Sequence, residues 1–368
     1  MKPQKAGWVG GAVGLLAAGA AVGLAAQRYA IGRLRSGDDP AADEPYGRLP
    51  ADRTRVVVAG DGVPLYVEEV GPLDAPLTVV FVHGYTLEMG AWHYQRRDLA
   101  DLTDPPVRMV FYDQRSHGRS GRGPAAASTI DQLGRDLARI LDAVDDGSPI
   151  VLVGHSMGGM AIMALADQKP DRFGTSVAGV ALLSTSSGGL RELRLGLPAA
   201  LASLQGPIVP VLALGMRARP SMVERGRRAA RDLAWLLTRH YSFGTADVSP
   251  ALVSYVEQMI SATPVDVIGE FLVEFMSHDK LSAVSQLAEV ETLVVVGEKD
   301  MLTPAEHSRA IAEAVPRAEL LVVTGAGHLA PLERPEVVND ALRDLIRRSA
   351  DAAGRPRRRR TERRRREA

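Results

Sequence analysis

The central part of the chain alternates short apolar runs with stretches whose apolar residues recur at helical spacing. Continuous apolar runs such as Leu77–Val82 and Ile150–Val153 predict strands that are buried on both faces. Ile130–Val144 carries apolar residues three and four positions apart, which predicts an amphipathic helix. Further strands are predicted at Thr292–Val296 and Leu320–Val323. This alternation predicts an α/β fold with a mostly parallel central sheet and helices on both faces.

One long segment interrupts this alternation. Residues 187–277 are helical in pattern, dense in Leu, Met, Ala and Arg, and broken by several prolines. We interpret them as a helical cap inserted between two parts of the core, residues 51–186 and 278–350. Within the cap, Leu195–Gly215 is almost entirely apolar. It predicts a buried cap helix or an apolar tunnel for an acyl chain, with a second membrane span as the alternative.

The amino-terminal segment differs from the rest in hydropathy. Ala6–Ala26 contains no charged residue, and ~20 apolar residues suffice to span a bilayer. Residues 1–36 are therefore expected to hold a retained membrane anchor or a cleaved signal segment, with a soluble Ala-rich helix as a third interpretation. The first predicts a membrane-associated protein with a single span of unknown orientation, and the second predicts a secreted protein. Residues 37–50 are predicted to be a linker.

Charge is distributed unevenly, although the formal net charge is zero. Residues 1–36 carry +5, residues 37–350 carry −11, and residues 351–368 carry +6. The arginine-rich end predicts a disordered tail that is either solvated or in contact with anionic lipid. Nucleic acid is not expected as a partner, because no recognition fold accompanies the tail. The absence of cysteine excludes disulfides and thiolate metal sites, but leaves the compartment open.

A Gly-x-Ser-x-Gly turn, Gly154 to Gly158, follows the predicted strand Ile150–Val153 and precedes a predicted helix. In this setting a serine sits on a strained turn with its hydroxyl exposed above the sheet. A serine hydroxyl is a weak nucleophile at neutral pH, so it needs a base, and the base needs an acid to orient it. Ser156 is therefore the candidate nucleophile.

Candidates for the base and the acid lie downstream, each after a predicted strand. When the nucleophile stands on such a turn, the acid and then the histidine follow it in the chain. Four histidines follow Ser156, and of these only His328 comes directly after a predicted buried strand. Asp300 lies just past another strand, before the next predicted helix. We predict His328 as the base and Asp300 as the acid, with Glu298 as a less well placed alternative.

Attack by the serine leaves negative charge on the carbonyl oxygen, and two backbone N–H groups have to stabilise it. One donor is expected at Met157, directly after the nucleophile, and the other at Tyr85, in the loop after Leu77–Val82. Gly84 lets the backbone bend so that the Tyr85 amide faces the turn. Structural roles around the site are expected for His83, Asp113, Arg115 and His117.

These motifs closely resemble those of the α/β-hydrolase superfamily, and more narrowly its capped esterase, lipase and cofactor-free haloperoxidase-like branch. The resemblance covers about residues 54–348, and it rests on His83 to Tyr85, Asp113 to Ser120, Gly154 to Gly159, Gly297 to Asp300 and Gly325 to His328. It implies a serine hydrolase that cleaves a carboxylic ester or thioester through an acyl-enzyme, with no metal or organic cofactor. The expected partner is a small-molecule or lipid ester. The apolar amino-terminal segment, the apolar cap and the basic segments together favour one that is lipophilic in its acyl part and delivered from a membrane.

The type of residue at the nucleophile position limits which branches of the superfamily the chain can resemble. Epoxide hydrolases and haloalkane dehalogenases of this fold place an aspartate where this chain has Ser156, so the residue argues against both. Carbon–carbon bond hydrolases and perhydrolases of the fold use serine and stay open as alternatives. A hydrolase-fold protein that binds a ligand or partner without turnover is the alternative from another class.

Overall fold

One eight-stranded sheet forms the centre of the computed structural model, which describes residues 32–33, 39, 41–190 and 205–354. The strands are β1 (Arg53–Val58), β2 (Pro64–Val70), β3 (Thr78–Val82), β4 (Arg108–Tyr112), β5 (Ile150–His155), β6 (Val177–Leu183), β7 (Glu291–Gly297) and β8 (Glu319–Val323). Their order across the sheet is β1-β2-β4-β3-β5-β6-β7-β8. Strand β2 pairs antiparallel with β1 and β4, and all other pairs are parallel.

Helices surround this sheet and form the insertion between β6 and β7. They are α1 (His93–Asp98), α2 (Ile130–Val144), α3 (Met157–Gln168), α4 (Gln205–Ala218), α5 (Pro220–Ala229), α6 (Arg231–Ser242), α7 (Pro250–Ala262), α8 (Val265–Phe275), α9 (Leu281–Val284), α10 (Ala305–Ala314), α11 (Ala330–Glu333) and α12 (Pro335–Gly354). The predicted helix over residues 130–144 is therefore observed. Thr129 caps it by accepting the Gln132 N–H at 3.1 Å.

Both faces of the sheet are covered, because successive strand residues point to opposite sides. In β3, Val80 and Val82 pack into an apolar cluster that includes residues of α2 and α3. Val79 and Phe81 pack into the opposite cluster, which includes residues of α12. The predicted α/β-hydrolase architecture, a mostly parallel sheet with helices on both faces, is confirmed.

The cap, residues 205–275 in the described structure, consists of helices α4 to α8. The chain before and after these helices comes together where Gly188 and Asp279 form an isolated antiparallel bridge. Lys280 also donates its N–H to the Ser187 carbonyl at 2.7 Å. Residues 191–204 lie outside the described residues, and with them residues 195–204 of the predicted apolar stretch Leu195–Gly215.

The segment before β1 packs against the body of the protein. The Tyr46 ring stacks on Tyr255 of α7 with 5.0 Å between ring centroids. Its hydroxyl forms a hydrogen bond with the Tyr94 hydroxyl at 2.8 Å. Residues 41–50 of the predicted linker are therefore in contact with both the core and the cap.

The localisation predicted from the amino-terminal segment needs correction. Within residues 32–33, 39, 41–190 and 205–354, the structure contains no helix whose length and apolar character would let it cross a bilayer. The described part of the apolar helix α4 has 14 residues, whereas ~20 are needed to span the hydrocarbon core. The single amino-terminal span is not supported. Residues 6–26, on which it rested, and the tail from residue 355 lie outside the described residues.

Candidate active site

Ser156 makes the turn between β5 and α3, since the strand ends at His155 and the helix begins at Met157. Its backbone has φ 52° and ψ −118°, which is a strained conformation for a residue with a side chain. The Ser156 N–H donates to the Leu183 carbonyl at 2.9 Å, and Thr185 Oγ1 donates to the Ser156 carbonyl at 2.7 Å. These two bonds from β6 and its following loop hold the serine in its strained turn.

Gly158 allows the first turn of α3 to pass close to β3. A Cβ atom at this position would overlap the carbonyl oxygen of Val82. No residue with a side chain fits there unless the strand or the helix moves. The glycine of the Gly-x-Ser-x-Gly turn is thus required by the packing that positions Ser156.

His328 and Asp300 come together in the loops after β8 and β7. His328 Nδ1 lies 2.9 Å from Asp300 Oδ2 and 3.0 Å from Oδ1, and both side chains are buried. Burial by itself raises the pKa of Asp300, but the charge and hydrogen bond of His328, together with Thr303, lower it below its usual value. Asp300 therefore stays ionised and keeps a proton on His328 Nδ1. The Nε2 atom of His328 is left as an acceptor.

Thr303 supports this pair, and the sequence analysis did not assign it a role. Its hydroxyl donates to Asp300 Oδ2 at 2.9 Å and its N–H donates to Oδ1 at 2.9 Å. The Leu302 N–H also donates to Oδ1 at 2.9 Å. Donors to the ionised carboxylate favour its charged form. A Thr-Pro pair that opens the next helix was the only signal for this role in the sequence.

His155, directly before Ser156, connects the serine turn to the loop of His328. His155 Nε2 donates to the His328 carbonyl at 2.9 Å, and the two imidazole rings lie 4.9 Å apart. Among the described residues no hydrogen bond joins Ser156 Oγ to His328. Such bonds are often long without substrate and shorten when it binds.

The backbone N–H groups of Tyr85 and Met157, the two predicted oxyanion donors, have no protein acceptor among the described residues. The loop that carries Tyr85 lies against the serine: a Cβ atom at Gly84 would be 3.2 Å from Ser156 Cβ and 2.6 Å from His155 Nδ1. Gly84 therefore allows the backbone to approach the turn. Met157 directly follows Ser156, and Tyr85 follows Gly84, so both stay the predicted oxyanion donors.

Two buried histidines brace this loop in their neutral form. His83 Nε2 accepts the Gln114 N–H at 2.9 Å, so that its Nδ1–H donates to the Gly84 carbonyl at 2.8 Å. His117 Nε2 accepts the Thr86 N–H at 3.3 Å, and its Nδ1–H donates to the Arg115 carbonyl at 2.9 Å. Burial lowers the pKa of His83 to about 3 and that of His117 to about 4. The hydrogen bonds of both histidines go to backbone groups, which is typical of structural residues.

Asp113 and Arg115 hold the loop after β4. The Asp113 carboxyl accepts the N–H groups of Met89 at 2.8 Å and Arg119 at 2.7 Å, and burial raises its pKa to about 6. Arg115 is fully buried and donates twice to Asp136, at 2.5 and 2.7 Å. These contacts match the supporting roles expected from the sequence.

The other downstream candidates are engaged elsewhere. Glu298 accepts the Gly325 N–H at 2.8 Å and so connects the loops after β7 and β8. His278 Nε2 bonds to the Ser186 carbonyl, and His307 Nδ1 bonds to the Ser186 hydroxyl, both at 2.9 Å. Among the described residues, no group of His, Cys, Asp and Glu side chains could hold a metal ion.

Glu333 is a supporting residue that the sequence analysis missed. Its carboxylate accepts the Gly327 N–H at 2.7 Å and the N–H groups of Gly244 and Thr245 at 3.0 Å. It therefore fixes the loop that carries His328 to the segment after α6. No local sequence pattern predicts this role, because Glu333 and Gly244 are distant in the chain.

Comparison with known proteins agrees with this geometry. A model of the alpha/beta hydrolase family matches residues 79–341, which include the serine turn and the loops of Asp300 and His328. The chain belongs to the α/β-hydrolase family. A thermophilic esterase from Thermogutta terrifontis is 25% identical to this α/β-hydrolase, with a TM-score of 0.64 over 81% of the chain and 99% of the esterase. A bromoperoxidase from Bacillus anthracis, 19% identical, shares the fold with a TM-score of 0.63 over 80% and 99% of the two chains.

Curated relatives of the α/β-hydrolase differ in their named activities. A dihydrolipoyllysine-residue acetyltransferase component of an acetoin cleaving system from Pseudomonas putida is 27% identical over 73% of this chain, which spans only 63% of that protein. Lipase LipV from Mycobacterium tuberculosis is 38% identical over 30% of the chain and 39% of the lipase. A 2-hydroxy-6-oxononadienedioate/2-hydroxy-6-oxononatrienedioate hydrolase from Escherichia coli is 24% identical over 78% of the chain and 92% of that enzyme.

Proposed function

We propose that this α/β-hydrolase is a serine hydrolase that cleaves a carboxylic ester or thioester through an acyl-enzyme on Ser156. The observation that carries the proposal is the buried Asp300–His328 pair beside a serine in a strained turn. The N–H groups of Tyr85 and Met157, which have no protein acceptor in the described structure, supply the donors for the oxyanion. This chemistry requires neither a metal nor an organic cofactor.

The reaction proceeds in two halves. Ser156 Oγ attacks the carbonyl carbon while its proton passes to His328 Nε2, and the electron pair of the C=O bond moves to the oxygen. The Tyr85 and Met157 amides stabilise that oxyanion. His328 then protonates the leaving alcohol or thiol as the C–O or C–S bond breaks. Water attacks the acyl-enzyme by the same route, the proton returns to Ser156 Oγ, and Asp300 stays ionised throughout.

Apolar side chains beside the proposed oxyanion donor favour a lipophilic acyl group. The Phe275 ring meets the Tyr85 ring edge-on at 4.9 Å, and Leu190 packs against the same apolar cluster. Each buried methylene contributes about 0.8 kcal/mol. The value of kcat/KM on p-nitrophenyl esters should therefore rise from acetate to octanoate. A maximum at acetate would contradict a lipophilic substrate.

Labelling with a fluorophosphonate probe tests the nucleophile. Ser156→Ala should abolish labelling and hydrolysis of p-nitrophenyl esters, and intact-protein mass should show one phosphonyl group on the wild type. Ser186→Ala is a matched control, because Ser186 also contacts a histidine, at 2.9 Å from His307. That variant should label like the wild type. Absence of labelling in a folded wild type would instead support the alternative of a protein that binds a ligand or partner without turnover.

Hydrolysis of a carbon–carbon bond is the second candidate. The E. coli relative is named for a hydroxy-oxo-dienedioate, a substrate without an ester, and the match extends over 92% of that enzyme. Hydrolysis of such a compound breaks a carbon–carbon bond. A 2-hydroxy-6-oxo-dienoate turned over with higher kcat/KM than every ester would favour this candidate. Perhydrolysis has weaker support, because the likeness to the bromoperoxidase concerns the fold alone.

A further inference from the structure

The loop that carries the Tyr85 amide contacts the cap as well as the core. The Tyr85 hydroxyl donates to the carbonyl of Ile268, within α8, at 2.5 Å. The ring of the same residue meets Phe275 at the end of α8. Burial raises the pKa of the Tyr85 phenol, so the hydroxyl keeps its proton for the Ile268 carbonyl. One residue thus carries the proposed oxyanion N–H and bonds to the cap through its side chain.

The next residue in the loop, Thr86, is held from two sides. Its φ of 60° lies in the left-handed region, which is unfavourable for a β-branched side chain. The Thr86 N–H donates to His117 Nε2 in the core, while its carbonyl accepts from Thr263 Oγ1, just before α8, both at 3.3 Å. Strain of this kind persists only where the surroundings determine the conformation from several directions. The cap provides one of these contacts, the hydrogen bond from Thr263 to the Thr86 carbonyl.

Helix α8 is itself fastened to the core beside this loop. Its Glu270 carboxylate accepts from Arg122 at 2.5 Å and from Ser128 at 2.7 Å. Phe271 packs against the His117 ring, with 5.7 Å between ring centroids. The same short helix therefore touches the Tyr85 side chain, the His117 brace and the loop after β4.

We propose that helix α8 sets the position of the Tyr85 N–H, so that the oxyanion site is complete only when the cap is seated on the core. The proposal rests on the function proposed above and adds its regulation. An oxyanion donor acts over 2.7–3.1 Å, and complete loss of one lowers kcat by about 10²–10³. A cap that lifts releases Tyr85 and Thr86 together and displaces the donor. A substrate that holds the cap against the core therefore completes the oxyanion site. Discrimination between substrates then appears as differences in kcat rather than in KM.

Tyr85→Phe tests this link, because it removes the hydroxyl and keeps the ring contact and the backbone N–H. We expect kcat to fall about tenfold, a fraction of the loss of a complete donor, with KM within about twofold of the wild type. A trifluoromethyl ketone forms a tetrahedral oxyanion adduct on Ser156, so its Ki should weaken by the same factor. Tyr46→Phe, which also removes a tyrosine hydrogen bond, should change neither constant.

Thr263→Val provides a second, independent test on the cap side. It removes the donor to the Thr86 carbonyl, and we expect a loss of about threefold in kcat with a matching loss in Ki for the ketone. Wild-type kcat in Tyr85→Phe would overturn the proposal, and so would a loss of kcat with an unchanged Ki. If Tyr85→Phe does not fold, Thr263→Val decides by the same criteria. Absence of fluorophosphonate labelling in the wild type would contradict the proposed function itself. That result is distinct from the kcat and Ki outcomes, which test only the link to the cap.

Discussion

The carboxyl edge of the sheet and the cap above it are built in different ways. At the sheet edge the backbone does most of the positioning: the Ser156 amide is bonded to β6, and buried neutral histidines hold the loop after β3. The cap is attached through side chains: Glu270 and Tyr85 form hydrogen bonds between cap and core, and Val253 of the cap packs in one apolar cluster with Leu329. Leu152 of β5 is 0% exposed, whereas Leu214 of the cap helix α4 is 65% exposed.

This difference separates two tasks. Backbone bonds within a packed core open rarely, whereas elements with few buried contacts open at a lower free-energy cost. The proposed chemistry depends on angstrom-level placement, and it resides at the edge of the sheet. Under the proposal above, the choice of substrate depends on the cap, which side chains attach to the core.

The largest effect is expected at the acid. Asp300→Asn should lower kcat on p-nitrophenyl butyrate by about 10⁴, because an amide favours the wrong tautomer of His328. Glu298→Gln is the control, since Glu298 bonds to Gly325 and not to the histidine. It should stay within about tenfold of the wild type. Retention of a tenth of wild-type kcat in Asp300→Asn would argue against the assigned acid.

Acid pH should destabilise the core through its buried histidines. Burial lowers the pKa of His83 and His155 to about 3 and that of His117 to about 4, below the usual 6.5. Below pH 6.5 the unfolded chain therefore binds protons that the folded chain does not. The free energy of unfolding falls by about 1.4 kcal/mol per pH unit for each histidine, from pH 6.5 down to pH 4.

The buried carboxyl of Asp113 acts in the opposite direction. Burial raises the pKa of Asp113 from 3.8 to about 6, so the folded protein binds the extra proton between these values and offsets one histidine. Urea unfolding at pH 7, 6 and 5 measures the net slope. His117→Gln, whose amide can keep both contacts, should reduce that slope by about 1.4 kcal/mol per pH unit. A free energy of unfolding that is flat from pH 7 to 5 would contradict this account.

The smallest effect is expected at the attachment of the cap. Glu270→Gln weakens the ion pair with Arg122, a residue that is 38% exposed, and should cost about 1 kcal/mol. About fivefold faster limited proteolysis within residues 205–275 should follow, since opening of the cap becomes more frequent. Glu291→Gln removes a surface pair with Arg348 away from the cap and should leave the cleavage rate unchanged. Equal rates in the two variants would mean that Glu270 does not hold the cap.

Much of the fold could be predicted because its signals are local. Continuous apolar runs mark strands covered on both faces, and helical spacing marks α2 at Ile130–Val144. Ser156, Asp300 and His328 were chosen because each follows a strand, and parallel strands bring their carboxyl ends to one edge of the sheet. The structure brings Asp300 and His328 into contact from separate strands.

By itself the sequence determined the strand and helix pattern, the family and the candidate residues, because each depends on neighbours along the chain. Only the tertiary structure decided which loops support them. Tyr85 and Ile268 lie 183 positions apart, and Glu333 and Gly244 lie 89 apart. No local pattern encodes such pairs, since they depend on how the cap and the sheet pack. The same limit applies to the membrane anchor, where apolar composition alone supported a span that the described structure does not contain.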